Sequence, residues 1–391
     1  MTRVTEKDRC IELLLGFVRY ELCGIDLPES VRNFTSDELL DTYRLSKSQD
    51  LAHLVGDALL KCDLLGEGRA KAVLKNEVIS AVCRYERMKC DLDRAKSALD
   101  GAKVPYIALK GAVIRELYPE PWMRTSCDID LLVHPADMKK AADALMVATD
   151  CKETDTTGHD VAYLTASGTG IELHHSLIED GRIAKADKVL SDIWEHVEKS
   201  QNGGEYEYLM PDEYFYYYHI VHMAKHLSIG GCGIRPIVDL YLLDKPSGAD
   251  ALLKMGGLDR LDAAASELAD CVMNDKKPSE LAEGLMDYIF SAGIYGSVEN
   301  YTAVKKSEKH GRIGFLLYRI FLPYNELRQI YPKLSGRPWL TPIYEVVRWV
   351  KFIADGRAKK GVREFDAVMG MSNEHSDEIG KLMRELGVSP K

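Results

Sequence analysis

The sequence lacks the marks of several large protein classes. None of its nine cysteines forms a Cys-x-x-Cys pair, and no Cys/His spacing fits a zinc finger. Their odd number and scattered places, from Cys10 to Cys271, exclude a disulfide framework and fit a reducing cytoplasm. No uninterrupted apolar run approaches the roughly 18 residues of a membrane-spanning helix. Met1 to Cys10 is polar, with no apolar stretch behind a basic one, so no secretory leader is expected. Glycine and proline number only 30 and 14 of 391 residues, which excludes collagen and low-complexity chains. Basic residues are outnumbered, 51 against 61 acidic, and the net charge of −10 excludes a basic nucleic-acid coat.

What is present is an ordinary globular composition, with 46% apolar and 29% charged residues. At roughly 150 residues per domain the length allows two to three domains, each able to bury its own core. The charge is uneven. Between Lys305 and Arg363 stand fourteen Lys and Arg but four Asp and Glu, so the remainder of the chain is strongly acidic. This segment interleaves Arg312, Arg319, Arg328, Lys333, Arg337, Arg348, Lys351 and Arg357 with Tyr, Trp and Phe. It fits a polyanionic partner, whether a nucleic-acid backbone or an anionic membrane surface, and equally a helical face of snorkelling cations.

Apolar spacing divides the chain into three. Residues 1–100 read as helical, with Ile11, Leu14, Leu15, Val18 and Leu22 on one stripe and a long uninterrupted helix from about Gly68 to Leu99. Residues 101–200 change texture. Val104 to Leu109 and Asp128 to Val133 read as strands, and Ala112–Leu117 and Ala136–Ala148 as helices. Val161–Thr165 and Thr169–Leu173 read as a hairpin turned by Ser167-Gly168. This is a small α/β layer with helices on one face. Residues 201–391 read as a C-terminal helical region, the helical pattern resuming at Ala186 with helices expected near 187–199, 212–228, 234–243 and 258–275, and with apolar-aromatic amphipathic segments at Arg312–Tyr331 and Pro342–Ala354. The fold class is α+β, predominantly helical, with a sheet of three to five strands.

The sharpest chemical signal is Asp128-Ile129-Asp130. Strand side chains alternate faces, so the two carboxylates share one side while Ile129 points to the core. Neighbouring carboxylates repel, and an apolar strand tolerates them best with a cation between them. Glu172 is a third carboxylate inside an apolar strand, and His174 shares its face. Should the two strands be neighbours, three carboxylates converge, enough for two Mg²⁺ or Mn²⁺ ions in in-line phosphoryl transfer. Lys110-Gly111 follows the first strand and opens a helix, which suits a phosphate. Arg124 is a further candidate phosphate clamp. Farther on, His219, His222 and His226 share a helix face beside Lys225, with Arg235 and Asp239 four apart on the next helix. A second metal site, a positively charged wall over a substrate, and helix-packing histidines are the readings open for this group. Tyr214 to Tyr218 reads as core.

Taken together, Leu109-Lys110-Gly111, Arg124 with Asp128-Ile129-Asp130-Leu131-Leu132-Val133, and Ile171-Glu172-Leu173-His174 resemble the polymerase-β-like nucleotidyltransferase superfamily. More narrowly they resemble a bacterial family of uncharacterised nucleotidyltransferases. That likeness extends to His222-Met223-Ala224-Lys225-His226 and Gly233 to Asp239. The resemblance implies that Asp128, Asp130 and Glu172 are catalytic and hold two metal ions. It implies that Lys110, Gly111, Ala112 and Arg124 meet the triphosphate of an NTP donor. His174, His222, Lys225, His226, Arg235 and Asp239 become candidate substrate contacts. The implied reaction moves a nucleoside monophosphate from the NTP to an unidentified acceptor hydroxyl, with release of pyrophosphate. One departure stands out: Ala112 occupies the position where the superfamily usually has Ser or a second Gly. It keeps open a nucleotide- or phosphate-binding protein without turnover. A binding protein acting through the basic segment is the other alternative. The expected location is the cytoplasm, or the periphery of a membrane.

Overall fold

The computed structural model describes residues 6–156, 159–178, 183, 185–308, 321–354 and 373–388. Five helices precede the sheet: α1 (Glu6–Cys23), α2 (Glu29–Arg32), α3 (Ser36–Ser48), α4 (Ala52–Lys61) and α5 (Arg69–Gly101). Thr35 starts α3 with a capping box, its hydroxyl accepting from the Glu38 amide while Glu38 reaches back to the Thr35 amide. The 33 residues of α5 contain no proline, which lets one helix run the length of the sheet.

The sheet has seven strands: β1 (Tyr106–Ala108), β2 (Asp128–Val133), β3 (Lys152–Thr156), β4 (Asp160–Leu164), β5 (Gly170–His174), β6 (Glu198–Lys199) and β7 (Glu207–Leu209). Their spatial order is β3-β4-β5-β2-β1-β7-β6. The pairs β2/β5 and β1/β7 are parallel and the others antiparallel. The expected hairpin is present as β4 and β5, turned at Gly168, whose φ of 86° suits glycine. The expected three to five strands become seven. β3, β6 and β7 carry Glu, Lys, Asp and Thr, which hide the strand signal. The helix expected over 187–199 is replaced by α8 (Ala186–Leu190), a single 3₁₀ turn at Ile193–Glu195, and β6.

One face of the sheet is apolar. Ile129, Leu131 and Val133 with Ile171 and Leu173 pack on Met88, Ala95 and Leu99 of α5 and on Ala141 and Leu145 of α7 (Met138–Thr149). The other face is also covered. Ile107, Leu109 and Leu132 join one large core with α1, α4 and the later helices. These helices are α9 (Asp212–Ser228), α10 (Arg235–Leu242), α11 (Ala249–Gly256), α12 (Asp259–Asn274), α13 (Glu280–Phe290) and α14 (Val298–Glu308). The expected one-sided layer is thus two-sided, and the polar end of the second face is left for the site. Gln49 ties the first and last helical parts together, accepting from the Ile234 amide at 2.9 Å and donating to the Ala292 carbonyl at 2.8 Å.

In the basic segment, Arg312, Arg319 and Arg357 lie outside the described residues. Within them, Arg348 of the helix Thr341–Ala354 is engaged by Glu345 at 2.7 Å, while Lys333, Arg337 and Lys351 are exposed. No helix among the described residues is long and apolar enough to cross a membrane.

Glu21 of α1 is buried and meets Lys61 of α4 at 2.7 Å, yet its Oε1 has no hydrogen-bond partner. Burial pushes its carboxyl up to about 7, against the pull of Lys61. The folded chain therefore holds this proton more tightly than the unfolded chain. Its contribution to stability is complete below the ordinary carboxyl range and is lost as pH rises through 7. Glu21→Gln, which leaves Lys61 its 2.8 Å partner Asp57, is expected to raise Tm relative to wild type. Calorimetric melting should find that gain larger at about pH 8 than at about pH 5.

Candidate active site

The site is built on the β2/β5 pair. These strands are parallel and in register, Asp130 opposite Glu172 and Asp128 opposite Gly170, so all three carboxylates share one face. Asp130 is 2% exposed, while Asp128 and Glu172 are partly exposed. Burial, reinforced by Asp130 and Glu172, pushes Asp128 up to about 6. Asp130 goes the other way. Burial opposes its charge, but Lys110 and His174 outweigh it and hold the carboxyl well below the usual range.

One oxygen gathers these cations. The Lys110 ammonium donates to Asp130 Oδ1 at 2.7 Å, and His174 Nε2 stands 2.9 Å from the same atom. Lys110 reaches it from the β1–α6 turn, where α6 is Gly111–Ile114. Its φ of 45° is in a region a non-glycine residue rarely occupies. The neighbouring Leu109 amide donates to the Asp130 carbonyl at 3.0 Å, so backbone and side chain of Asp130 both fix the turn. Gly111 is required for space. A Cβ there would stand 2.6 Å from Arg124 Nη1 and 3.1 Å from Ser126 Oγ. Ser126 thus brings a hydroxyl to the glycine turn where Ala112 has none, and Arg115 Nη2 donates to it at 2.7 Å.

Arg124 is engaged within the protein through two of its three nitrogens. It is buried, and its Nε and Nη2 donate to Asp239 Oδ1 and Oδ2 at 3.1 and 2.9 Å. Tyr118 donates to the same carboxylate at 2.8 Å. The candidate phosphate clamp thus makes a forked ion pair that pins α10 to the segment before β2. Asp239 is fully buried in that pair, and both residues line the same cleft as His222 and His226. His219 packs, its Nε2 lying 2.9 Å from the Pro236 carbonyl oxygen.

The remaining cationic groups line a cleft of about 400 Å³ with the carboxylates. Arg235 Nη1 donates to Asp50 at 3.0 Å and to the Thr125 carbonyl, while its buried Nε has no partner. His222 and His226 of α9 face each other, Nε2 to Nε2, at 3.2 Å. Burial, with Lys110 and His226 nearby, holds His222 well below its ordinary range. Sequence reasoning missed His159 and Asp160. His159 Nε2 lies 3.2 Å from Asp160 Oδ2, and Lys225 donates to His159 across 3.4 Å. The signal was available: a hairpin turned at Ser167-Gly168 sets Asp160 opposite His174. A more open groove on α5, lined by Glu86, Lys89, Cys90 and Asp93, brings no such set together.

Among the described residues, two groups have ligand atoms close enough to share a cation: Asp130, Glu172 and His174, and His159, Asp160 and His174. Asp128 flanks the first. A buried carboxylate pair with an imidazole suits a divalent cation, and the cleft cations suit phosphate oxygens.

Comparison with known proteins agrees with the chemistry. The family model described as "Uncharacterised nucleotidyltransferase" matches residues 36–251, more than half of the sequence. The chain belongs to this nucleotidyltransferase family. The match takes in α3 to α5, the sheet with its carboxylates, and α9 and α10 with their histidines and Arg235. Among curated proteins, none matches. The solution structure of the antibiotic-resistance factor ANT(2'')-Ia aligns at 11% identity over 48% of this chain and 89% of that one. Its TM-score is 0.27.

The Arg124–Asp239 pair is expected to be a stability element of this nucleotidyltransferase. Asp239→Asn leaves a buried guanidinium half-satisfied and should cost roughly 3–5 kcal/mol in urea unfolding. Arg124→Met combined with Asp239→Leu should recover most of that loss. An equal loss in the double variant would contradict the assignment.

Proposed function

We propose that the chain transfers a nucleoside monophosphate from an NTP to an acceptor hydroxyl, with pyrophosphate as the leaving group. The observation that carries this reading is the in-register pair Asp130 and Glu172 on parallel strands, with Asp128 on the same face, opening into a cation-lined cleft.

The carboxylates fit a pair of Mg²⁺ or Mn²⁺ ions. Asp128 is raised to about 6 by burial and its acidic neighbours, which is the mark of surplus negative charge. Asp128, Asp130 and Glu172 would hold the ions. When bound, such ions neutralise phosphate charge and favour ionisation of the acceptor hydroxyl. The protein's own groups do the rest. Glu172, partly exposed to the cleft, accepts the acceptor proton. His174 Nε2, 3.5 Å from Glu172 Oε2 and 2.9 Å from Asp130 Oδ1, orients both. Lys110, Lys225 and Arg235 meet the phosphate oxygens. α6, only four residues long, adds little as a helix terminus. The acceptor oxygen then bonds to the α-phosphorus, and the α–β phosphoanhydride bond breaks in line. Catalysis rests on positioning and charge neutralisation.

A second reading, nucleotide binding without turnover, draws on one observation. Lys110 and His174 already balance the charge of Asp130. We keep the three-part division at residues 100 and 200 as a proposal, and the basic segment 305–363 as a proposed polyanion contact.

Incubation with α-labelled NTP and Mg²⁺ and a fractionated extract of small molecules and macromolecules separates the readings. Transfer of label to one fraction, lost in folded Asp130→Asn or Asp128→Asn protein, is expected. Label transferred equally by either variant would overturn the assignment. Bound nucleotide with no pyrophosphate released would support the second reading.

A further inference from the structure

His174 faces two ways. Its Nε2 points at Asp130 Oδ1, 2.9 Å away. An ionised carboxylate only accepts, so Nε2 carries the proton of that contact. Its Nδ1 points to the opposite side, toward Asp160 Oδ2 at 3.7 Å, too far for a hydrogen bond. The ring is 2% exposed, and Nδ1 has no hydrogen-bond partner. A buried ring nitrogen without a partner is costly, and its direction is informative.

It points into a set of acceptor atoms. Asp160 Oδ2 is there, and His159 Nε2 lies 3.2 Å from that oxygen. Lys225 holds an ammonium 3.4 Å from the same His159 nitrogen. An ammonium can only donate, so His159 Nε2 carries a lone pair. The ligand atoms of His159, Asp160 and His174 all lie within 4.8 Å of one another. Metal–ligand bonds of about 2.0–2.2 Å in a tetrahedron set donor atoms about 3.3–3.6 Å apart. The separations of 3.2 and 3.7 Å bracket that range.

The contact behind His174 completes the pattern. A metal-bound imidazole commonly donates its other N–H to a carboxylate, which fixes the ring and raises its basicity. Asp130 stands in that position. We propose that His159 Nε2, Asp160 Oδ2 and His174 Nδ1 form a binding site for a first-row transition-metal ion of the Zn²⁺ or Co²⁺ class. It is separate from the Asp128, Asp130 and Glu172 set and is joined to it through the His174 ring. Two imidazoles and one carboxylate are a softer donor set than three carboxylates, and favour such ions over Mg²⁺. All three residues line the cleft, so an exogenous oxygen ligand can complete the coordination. The ion enters by displacing the Lys225 ammonium, which sits on a flexible stem.

The test needs no nucleotide, so its outcome is independent of the transfer reading. Full-length protein stripped with a chelator is titrated with Co²⁺, followed by visible absorption and by calorimetry. Thermal melting of every variant checks that it is folded. Wild type is expected to bind Co²⁺ with the absorption of a nitrogen- and oxygen-ligated ion. His159→Gln or Asp160→Asn should weaken that binding by at least about tenfold, since even indirect partners cost that much. Lys225→Gln should tighten it, and Asp128→Asn with Glu172→Gln should leave it in place. Absence of this absorption in wild type overturns the proposal. So does a Co²⁺ signal that survives His159→Gln and vanishes in the Asp128→Asn, Glu172→Gln protein. If His159→Gln does not fold, Lys225→Gln decides: unchanged or weaker binding overturns the site.

Discussion

The site turns on one carboxylate oxygen. Asp130 Oδ1 is buried beside Asp128 and Glu172, and such an anion is stable only when cations or donors surround it. Lys110 and His174 both converge on it. The unusual backbone of Lys110 delivers the ammonium there, and the glycine that follows leaves room for Arg124 against the turn. His174, drawn to the same oxygen, turns its other nitrogen toward Asp160 and His159. The placement of the Lys110 and His174 side chains follows from neutralising one buried charge.

The surrounding cations divide into two kinds. Arg124 is spent on Asp239, in a fully buried pair that joins the sheet's approach segment to α10. It positions the walls of the cleft and has nothing left for a ligand there beyond Nη1. Lys225 and Arg235 line the cleft and are partly exposed, while Lys110 lines it with its ammonium held by Asp130 at 2.7 Å. Buried pairs make the shape of the cleft, and partly exposed cations line it. That division explains how a cleft lined by so many charged groups remains part of a stable core.

Much of this was legible in the residues, and the reasons differ by element. The Asp128-Ile129-Asp130 alternation is a local property of a strand, so the shared face could be read directly. The alignment of Glu172 with Asp130 needed a strand neighbour, and the motif order pointed to it. The long helix α5 and the buried aromatic run of α9 were legible because periodicity and absence of proline are local too. The pairing of Arg124 went unread because its partner Asp239 lies 115 residues away, and no spacing rule spans that distance. Strands β3 and β6 were missed because polar edge strands lack an apolar pattern, and β7, between β1 and β6, because three residues are too few to show one. Asp160 and His159 went unnoticed although the hairpin register already placed Asp160 across from His174.

In the proposed function the three carboxylates bind a nucleotide through divalent cations. The most direct measurement is calorimetric titration of ATP, GTP, CTP and UTP into wild type and into Asp128→Asn, Asp130→Asn protein, each with and without Mg²⁺. The account predicts that at least one NTP binds wild type only when Mg²⁺ is present and does not bind the folded double variant. Binding of no NTP under any condition, or binding that survives in the double variant, would contradict it.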